Sequence, residues 1–338
     1  MDLKEFQYEL PSRLIAQHPS LERDEARLMV LDRTAGSIQH HGFRELPEIL
    51  RVEDLVVLND TRVFPARLTG RKTTGARIEV LLLRQLGSHR WEALLRPSRR
   101  CPPGTRLVFD PGRFEAVVQE ARQPERRQLE FFWETGEFME WLSRLGHVPL
   151  PPYIQRPDEP DDRVRYQTVF ARETGSVAAP TAGLHFTGEL LERLQHCEIT
   201  LHVGYGTFHP VQVEKIEEHR MDSEQYWIGE DVAERIRRQK ESGRRIVAVG
   251  TTTTRTLEHV MLEHGRIEAG GGSTELFIYP GFHFRAVDAL ITNFHLPGST
   301  LLMLVAAFGG KDLVRRAYEV AVREEYRFYS YGDAMLIL

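Results

Sequence analysis

Cysteine is nearly absent from this 338-residue chain: only Cys101 and Cys197 occur, far apart and in no CxxC spacing. That scarcity argues against a disulfide framework or a thiolate metal site and fits reduced thiols in a cytoplasmic protein. Long hydrophobic runs are missing as well. The longest, LLMLVAAF at 301–308, falls far short of the ~20 apolar residues of a membrane helix. The opening stretch MDLKEFQYELPSRLIAQHP has no basic region followed by an apolar one, so no secretory leader is expected. No Walker phosphate loop and no GxSxG elbow occur. HVGYGTF is not a dinucleotide fingerprint, because the place of its third glycine is taken by His209. An excess of basic charge is lacking too: the net charge is −5, which by itself does not suggest a nucleic-acid partner.

The distribution of charge changes that expectation. Residues 61–130 hold 15 Arg plus Lys against 7 Asp plus Glu, a local balance of +8. A segregated basic region is the electrostatic footprint of a polyanion partner, although a solvated basic surface has the same composition. This segment also differs in texture. RLTGRK, ARIEVLLLRQ, RWEALLRP, TRLVFD, FEAVVQEA and RQLEFFWE are short β-leaning runs. Turn signals separate them at Thr73-Thr74-Gly75, Gly87-Ser88, Pro102-Pro103-Gly104, Asp110-Pro111-Gly112 and Gln123-Pro124. Six such runs predict an antiparallel barrel or sandwich. A helix should follow, capped by Thr135, with Phe138, Trp141, Leu142 and Leu145 on one face and Gly146 at its end. The proline-rich acidic run 149–162 then leads to another domain.

The flanking sequence alternates strands and helices, which predicts an α/β domain with mainly parallel pairing. Strands are expected at 54–60, 199–204, 244–250 and 286–294, with a final one in YRFYSYGDAMLIL. Helices are expected at 188–194, 231–242, 254–265, 299–310 and 312–326. The implied organisation is an α/β domain of residues 1–61 and 149–338, with an all-β barrel of residues 62–148 inserted.

Ligands of α/β folds bind beyond the carboxyl ends of strands. Here those ends are densely polar: Asp60 followed by Thr61 and Arg62; His202, Gly204, Tyr205, Gly206, Thr207 and Phe208; Thr251 to Arg255; and Asn293, His295 and Ser299. Each has a plain structural alternative. Asn59 or Asp60 caps a turn, Thr253, Thr254 or Ser299 caps a helix, and Asn293 closes a strand-to-helix connection. Four such ends together predict convergence on one edge. The run SVAAPTAGLHFT, 176–187, adds a shaped loop presenting Thr181 and His185, with Pro180 and Gly183 setting its backbone. His185 is either a structural histidine bonded to backbone or an acid–base group, since imidazole titrates near neutrality. A metal triad of His185, His202 and His295 lacks any supporting carboxylate spacing, so no metal is expected.

Taken together, YELPSRLIAQHP, NDTRVFPARLTGRK, RYQTVFARETGSVAAPTAGLHFT, LHVGYGTFHPV, AVGTTTTRTLE, VDALITNFHLPGSTLLMLVAAFGG and YRFYSYGDAMLI resemble the S-adenosylmethionine:tRNA ribosyltransferase-isomerases of queuosine biosynthesis, over nearly the whole chain. The resemblance implies a barrel-like α/β main domain with an inserted β-barrel. It implies S-adenosylmethionine as a ribosyl-donating co-substrate and no metal. The partner it implies is tRNA carrying 7-aminomethyl-7-deazaguanine at the anticodon wobble position, acted on by a cytoplasmic monomer. The products would be epoxyqueuosine in the tRNA, adenine and methionine. Such chemistry removes a proton beside the sulfonium carbon and expels adenine, which needs a base, an acid and a site that excludes water. His185 is the first candidate, with His202 and His295 its rivals. Arg165, Tyr166 and Gln167 are expected to position the donor or the target base. Thr251, Thr252 and Arg255 are expected to hold the methionine carboxylate at a helix N-terminus. Thr181, Gly183, Gly204, Gly206, Thr207, Asn293, Asp60 and Arg62 complete the expected substrate site. Arg96, Arg99 and Arg100 are expected to grip tRNA phosphates, and Tyr205, Phe208 and Tyr331 are stacking candidates, although core packing suits each. Two departures from the family pattern stand out. QHCEIT before the 199–204 strand is short, which bears on the placement of His202, and Glu275 replaces a shorter polar residue or aspartate. A conventional methyltransferase lacks support, since RRIVAVGTTTT has no glycine-rich first turn. A non-catalytic RNA-binding barrel does not need such polar strand ends.

Overall fold

The computed structural model describes residues 1–119, 126–208 and 211–338, without the side chains of 207 and 208. Gln123-Pro124 and His209 lie outside the described residues. Nine strands form one mixed sheet, in the order Gly270–Thr274, Glu224–Ile228, His196–Leu201, Leu55–Asn59, Ile246–Val249, Ala289–Asn293, Ala334–Ile337, Arg27–Asp32, Ser37–Gly42. The outermost two are the edges of the expected barrel-like α/β domain and are not hydrogen-bonded to each other.

The four strands from His196–Leu201 to Ala289–Asn293 run parallel. Three of them, LVVLN, IVAV and ALITN, are buried at every position, as a sheet covered on both faces requires. Their residues alternate between two cores. Leu55, Val57, Ile246, Ala248 and Leu290 pack on one side, and Val56, Leu58, Val247, Val249, Ala289 and Ile291 on the other.

The expected predominance of parallel pairing is corrected: half of the neighbouring pairs are antiparallel. The last strand runs against Ala289–Asn293 because two helices, Thr300–Gly309 and Lys311–Arg323, separate them. Each helix reverses the chain, so an even number brings it back from the opposite end. The final strand is also shorter than expected. Only Ala334–Ile337 joins the sheet, while Phe328 makes an isolated bridge to Ile15 and the chain turns at Tyr329, whose φ is +72°.

The 251–264 helix begins three residues before its expected start. The Thr253, Thr254 and Thr256 hydroxyls donate to the carbonyls of Val249, Gly250 and Thr252 at 2.8, 3.1 and 3.1 Å, which satisfies these buried hydroxyls inside the helix. The short QHCEIT run is accommodated by a five-residue helix, Gly188–Glu192. The strand itself is complete, with His196 to Ile199 in register with Val56 to Asn59. His202 lies one residue past it rather than within it, though its N–H still donates to Gln225 O at 2.9 Å.

The basic segment forms a closed six-stranded antiparallel barrel, with strands Arg67–Lys72, Arg77–Gln85, Arg90–Arg96, Arg106–Asp110, Phe114–Val118 and Arg126–Trp133. The helix Phe138–Leu145 buries Phe138, Trp141 and Leu142 in the barrel core, where Phe114 and Trp141 stack at 5.4 Å. Glu137 rather than Thr135 is the helix N-cap, and the Thr135 carbonyl accepts from Trp141 Nε1 instead. Gly146 does end the helix, because a Cβ there would lie 2.2 Å from Pro65 O. A two-stranded parallel ribbon, Thr61–Val63 on Glu173–Ser176, joins the chain entering the barrel to the chain beyond it.

Candidate active site

The parallel strands end together. Asn59 Nδ2 donates to Leu201 O at 3.0 Å and to Thr252 Oγ1 at 3.3 Å, and its Oδ1 accepts from Leu201 N at 2.9 Å. These bonds tie three strand ends into one rim. Above it lies a cavity of about 360 Å³, within the ~300–1,000 Å³ range of small-ligand sites. Its walls come from the Pro180–Ala182 loop, Gly250 to Thr252, Thr292, Asn293, His295 to Ser299, Tyr329 and Ser330, and Tyr153. Gly250, at φ +88°, turns the chain from strand to helix where a side chain would be strained. No side chain caps the helix that follows, so its first-turn N–H groups and the Thr251 and Thr252 hydroxyls favour an anion. Ser299, by contrast, caps its own helix, accepting from Leu302 N at 3.2 Å.

Of the three candidate histidines, only His295 lines this cavity. Its Nε2 meets Thr292 Oγ1 at 2.7 Å, and its backbone is held by Tyr8 and Tyr318 hydroxyls. Burial pushes its pKa down to about 3, so the ring is neutral. His185 sits one layer deeper, bonded to Asn293 at 3.1 Å and packed on Phe43, and burial pushes it to about 3 too. Thr181 Oγ1 donates to Asn293 Oδ1 at 3.0 Å. His202 is elsewhere, 2.8 Å from Thr61 Oγ1, which in turn meets Ser176 Oγ at 2.7 Å. There it belongs to the ribbon at the barrel root, in a separate open basin with Trp227 and Gln225.

The structure therefore brings Thr181, Thr251, Thr252, Asn293 and His295 to one cavity, with His185 directly behind. The other candidates are engaged away from its lining. Asp60 is buried with Arg172 and Thr200, at 2.9 and 2.7 Å. Arg62 donates to Ala171 O, Arg165 to Ser20 and Leu21 carbonyls, and Gln167 brackets Val63. Tyr166 is fully buried. Arg255 pairs with Glu224 inside the protein, and Glu224 also accepts from Gly204 N at 2.9 Å. Gly183 and Gly206 are packing glycines: added Cβ atoms would press on Phe170 and Thr168, or on Asp222. Thr207 lies in the 3-10 turn Tyr205–Phe208, and its side chain, like that of Phe208, lies outside the described residues.

A second recess, about 550 Å³, opens where barrel and α/β sheet meet. Arg67, Arg77, Arg96, Arg156, His147 and Tyr205 line it, against the carboxylates of Glu79 and Asp158. Arg67 bonds Glu79 at 2.9 Å, and Arg156 bonds Asp162. Arg77 and Arg96, like exposed Arg99 and Arg100 nearby in sequence, make no ion pair with the described residues. The two recesses share a wall at Pro152. Tyr331 as a stacking surface is corrected: it is buried, and its hydroxyl donates to Asp162 Oδ1 at 2.7 Å.

Sequence reasoning missed Tyr153, Tyr329 and Ser330, the last donating or accepting at 2.6 Å with Tyr153. Their signal lies in the runs PPYI and YSYGD, which carry aromatic residues where composition predicts only a connection and a strand. Among the described residues no cluster of three or more His, Cys, Asp or Glu is arranged to hold a metal. No helix among them is long and apolar enough to cross a membrane.

Comparison with known proteins fits this arrangement. The profile of the family described as "Queuosine biosynthesis protein" matches residues 3–337. The S-adenosylmethionine:tRNA ribosyltransferase-isomerase of Desulfitobacterium hafniense is 53% identical over 344 residues, covering 100% of both chains. That of Moorella thermoacetica is also 53% identical over 344 residues, with the same coverage. The crystal structure of S-adenosylmethionine tRNA ribosyltransferase from Thermotoga maritima aligns with a TM-score of 0.56 at 42% identity, covering 99% of this chain and 100% of that one.

Proposed function

The chain belongs to the queuosine biosynthesis protein family, and we propose that, as a tRNA ribosyltransferase-isomerase of that family, it moves the ribosyl part of S-adenosylmethionine onto 7-aminomethyl-7-deazaguanine in the tRNA wobble position. The products are epoxyqueuosine-tRNA, adenine and methionine. One observation carries this reading: a cavity of small-ligand size at the strand ends shares Pro152 with an arginine-lined recess beside the barrel. Donor and polyanion then meet across one wall.

In this reading the donor occupies the strand-end cavity. Its carboxylate lies at the uncapped helix start with Thr251 and Thr252. The small residues Ala178, Ala179 and Ala182 let the adenosyl group come close to the backbone. His295 is the proton-transfer group, since it lines the cavity, as His185 and His202 do not, and its Nδ1 has no protein partner among the described residues. The barrel, residues 62–148, is the tRNA-gripping insertion, with Arg77, Arg96, Arg99 and Arg100 on phosphates and Tyr205 in the recess beside the target nucleotide. The protein acts as a monomer in the cytoplasm.

The test is one incubation of protein, S-adenosylmethionine and tRNA carrying 7-aminomethyl-7-deazaguanine, read by mass spectrometry. Adenine, methionine and epoxyqueuosine are the expected products. S-adenosylhomocysteine with methylated tRNA would replace this reading with methyl transfer.

A further inference from the structure

Thr181, Asn293 and His185 form a polar chain running inward from the cavity wall, and its inner end is set by groups with no freedom of role. The carbonyls of Tyr329 and Asp333 only accept hydrogen bonds. Asn293 must therefore turn its NH2 toward them, at 3.1 and 3.4 Å. The same NH2 meets His185 Nε2 at 3.1 Å, and its two protons serve Tyr329 O and His185 Nε2 with the longer Asp333 contact sharing one, so Nε2 presents a lone pair and the ring proton sits on Nδ1. Turning the amide over would set Oδ1 against two carbonyl oxygens.

Asn293 Oδ1 consequently faces Thr181. An amide oxygen only accepts, so Thr181 Oγ1 commits its one proton there, at 3.0 Å. What Thr181 offers the cavity it lines is then lone pairs alone. We propose that Thr181 is a specificity-determining acceptor for an N–H or O–H of the bound S-adenosyl compound, and that His185 is a positioning residue that fixes the Asn293 amide behind it. This rests on the cavity being the donor site.

The surroundings of His185 agree with that role. The ring is buried, packs at a tilt against Phe43 with centroids 5.1 Å apart, and is absent from the cavity lining. Burial also keeps it neutral across the working pH range. A neutral ring with its Nε2 already accepting has no route to carry a proton into the cavity through that nitrogen. Ligand discrimination follows: an S-adenosyl analogue whose contacting amine or hydroxyl is replaced by a pure acceptor would face Thr181 lone pair to lone pair, which leaves both groups unpaired.

The experiment measures S-adenosylmethionine binding by calorimetry, together with kcat, KM and their pH profiles, for Thr181→Val, Thr181→Ser, His185→Leu and His185→Gln. Thermal melts run alongside confirm that each variant folds. Thr181→Val keeps the shape and loses the acceptor, so Kd should rise ~5- to 150-fold, and Thr181→Ser should recover most of it. His185→Leu frees the amide and should raise KM more than it lowers kcat. His185→Gln, whose Oε1 can accept from Asn293, should restore most of that loss with an unshifted pH profile. Wild-type Kd in Thr181→Val overturns the acceptor role. A ~100-fold or greater fall of kcat in His185→Gln at wild-type Kd overturns the positioning role and makes His185 a proton carrier. A wild-type protein that binds no S-adenosylmethionine overturns the donor-site reading itself, and the proposal with it.

Discussion

Two recesses lie on either side of Pro152, and they are built on opposite principles. The strand-end cavity is walled by loops, threonines, an asparagine and one neutral histidine, His295, and its Thr181–Asn293 wall is internally hydrogen-bonded with His185 behind it. The recess at the barrel is lined by arginines, and two of these, Arg77 and Arg96, have no ion-pair partner among the described residues. Neutral, mutually bonded groups fix the shape of a site and are almost blind to salt. Unpaired surface cations attract any polyanion and are screened within about 8 Å at physiological ionic strength. On the proposed function, this difference would give selectivity to the first recess and grip to the second.

The largest expected effect separates the two sides by chemistry. His295→Ala should lower kcat by ~10²–10⁴ through loss of proton transfer, while tRNA affinity and its salt dependence stay as in the wild type. Single-turnover adenine release beside a tRNA binding curve checks this. A parallel loss of tRNA affinity would erase the distinction between the recesses.

The next effect belongs to the barrel. Changing Arg77, Arg96, Arg99 and Arg100 together to Gln should weaken tRNA binding and flatten its dependence on log salt by up to about 3.6, since each phosphate contact contributes ~0.7–0.9. S-adenosylmethionine affinity should not move. A fall in donor affinity with an unchanged tRNA salt slope would place the basic recess in the wrong role.

The smallest effect concerns stability and sharpens the neutral character of the cavity wall. Burial holds His185 and His295 near pKa 3, against 6.5 for an ordinary imidazole. Between those values the unfolded chain binds more protons than the folded one, so folding stability falls as pH drops from about 6.5 toward 3. Each histidine contributes at most about 1.4 kcal/mol per pH unit. Above 6.5 both states are neutral there and the effect vanishes. Denaturant melts at a series of pH values should show a shallower acid loss for His185→Gln than for the wild type. An identical slope would mean that His185 is charged or solvated in the fold.

The barrel was readable because its signals are local. All six of its strands coincide with the β-leaning runs, since short alternating segments broken by Gly, Pro and Asp need little outside information. The nine-stranded sheet was readable only in its middle. Its apolar central strands announce themselves, whereas Gly270–Thr274 is the sequence GGGST and carries no strand signature. It is held by pairing with Glu224–Ile228, where the Trp227 ring lies over Gly271 closely enough that a Cβ would come within 2.8 Å. Arg27–Asp32 and Ser37–Gly42 were likewise unread, a local hairpin that joins the sheet only through Arg27–Asp32 pairing with Ala334–Ile337 at the far end of the chain.

Sequence by itself determined that polar groups stand at the ends of parallel strands, that a basic β-barrel interrupts an α/β domain, and that a shaped loop carries His185. These follow from residue order, because period, punctuation and charge run are all properties of neighbours. Which histidine lines the strand-end cavity was decided only by tertiary structure. His185 and His295 are 110 positions apart, and they differ in depth: His295 lines the cavity, whereas His185 is bonded to the lining residue Asn293 and does not line it. Whether an imidazole is a reactant or a support depends on what surrounds it on every side, and those surroundings are assembled from segments that meet only when the chain has folded.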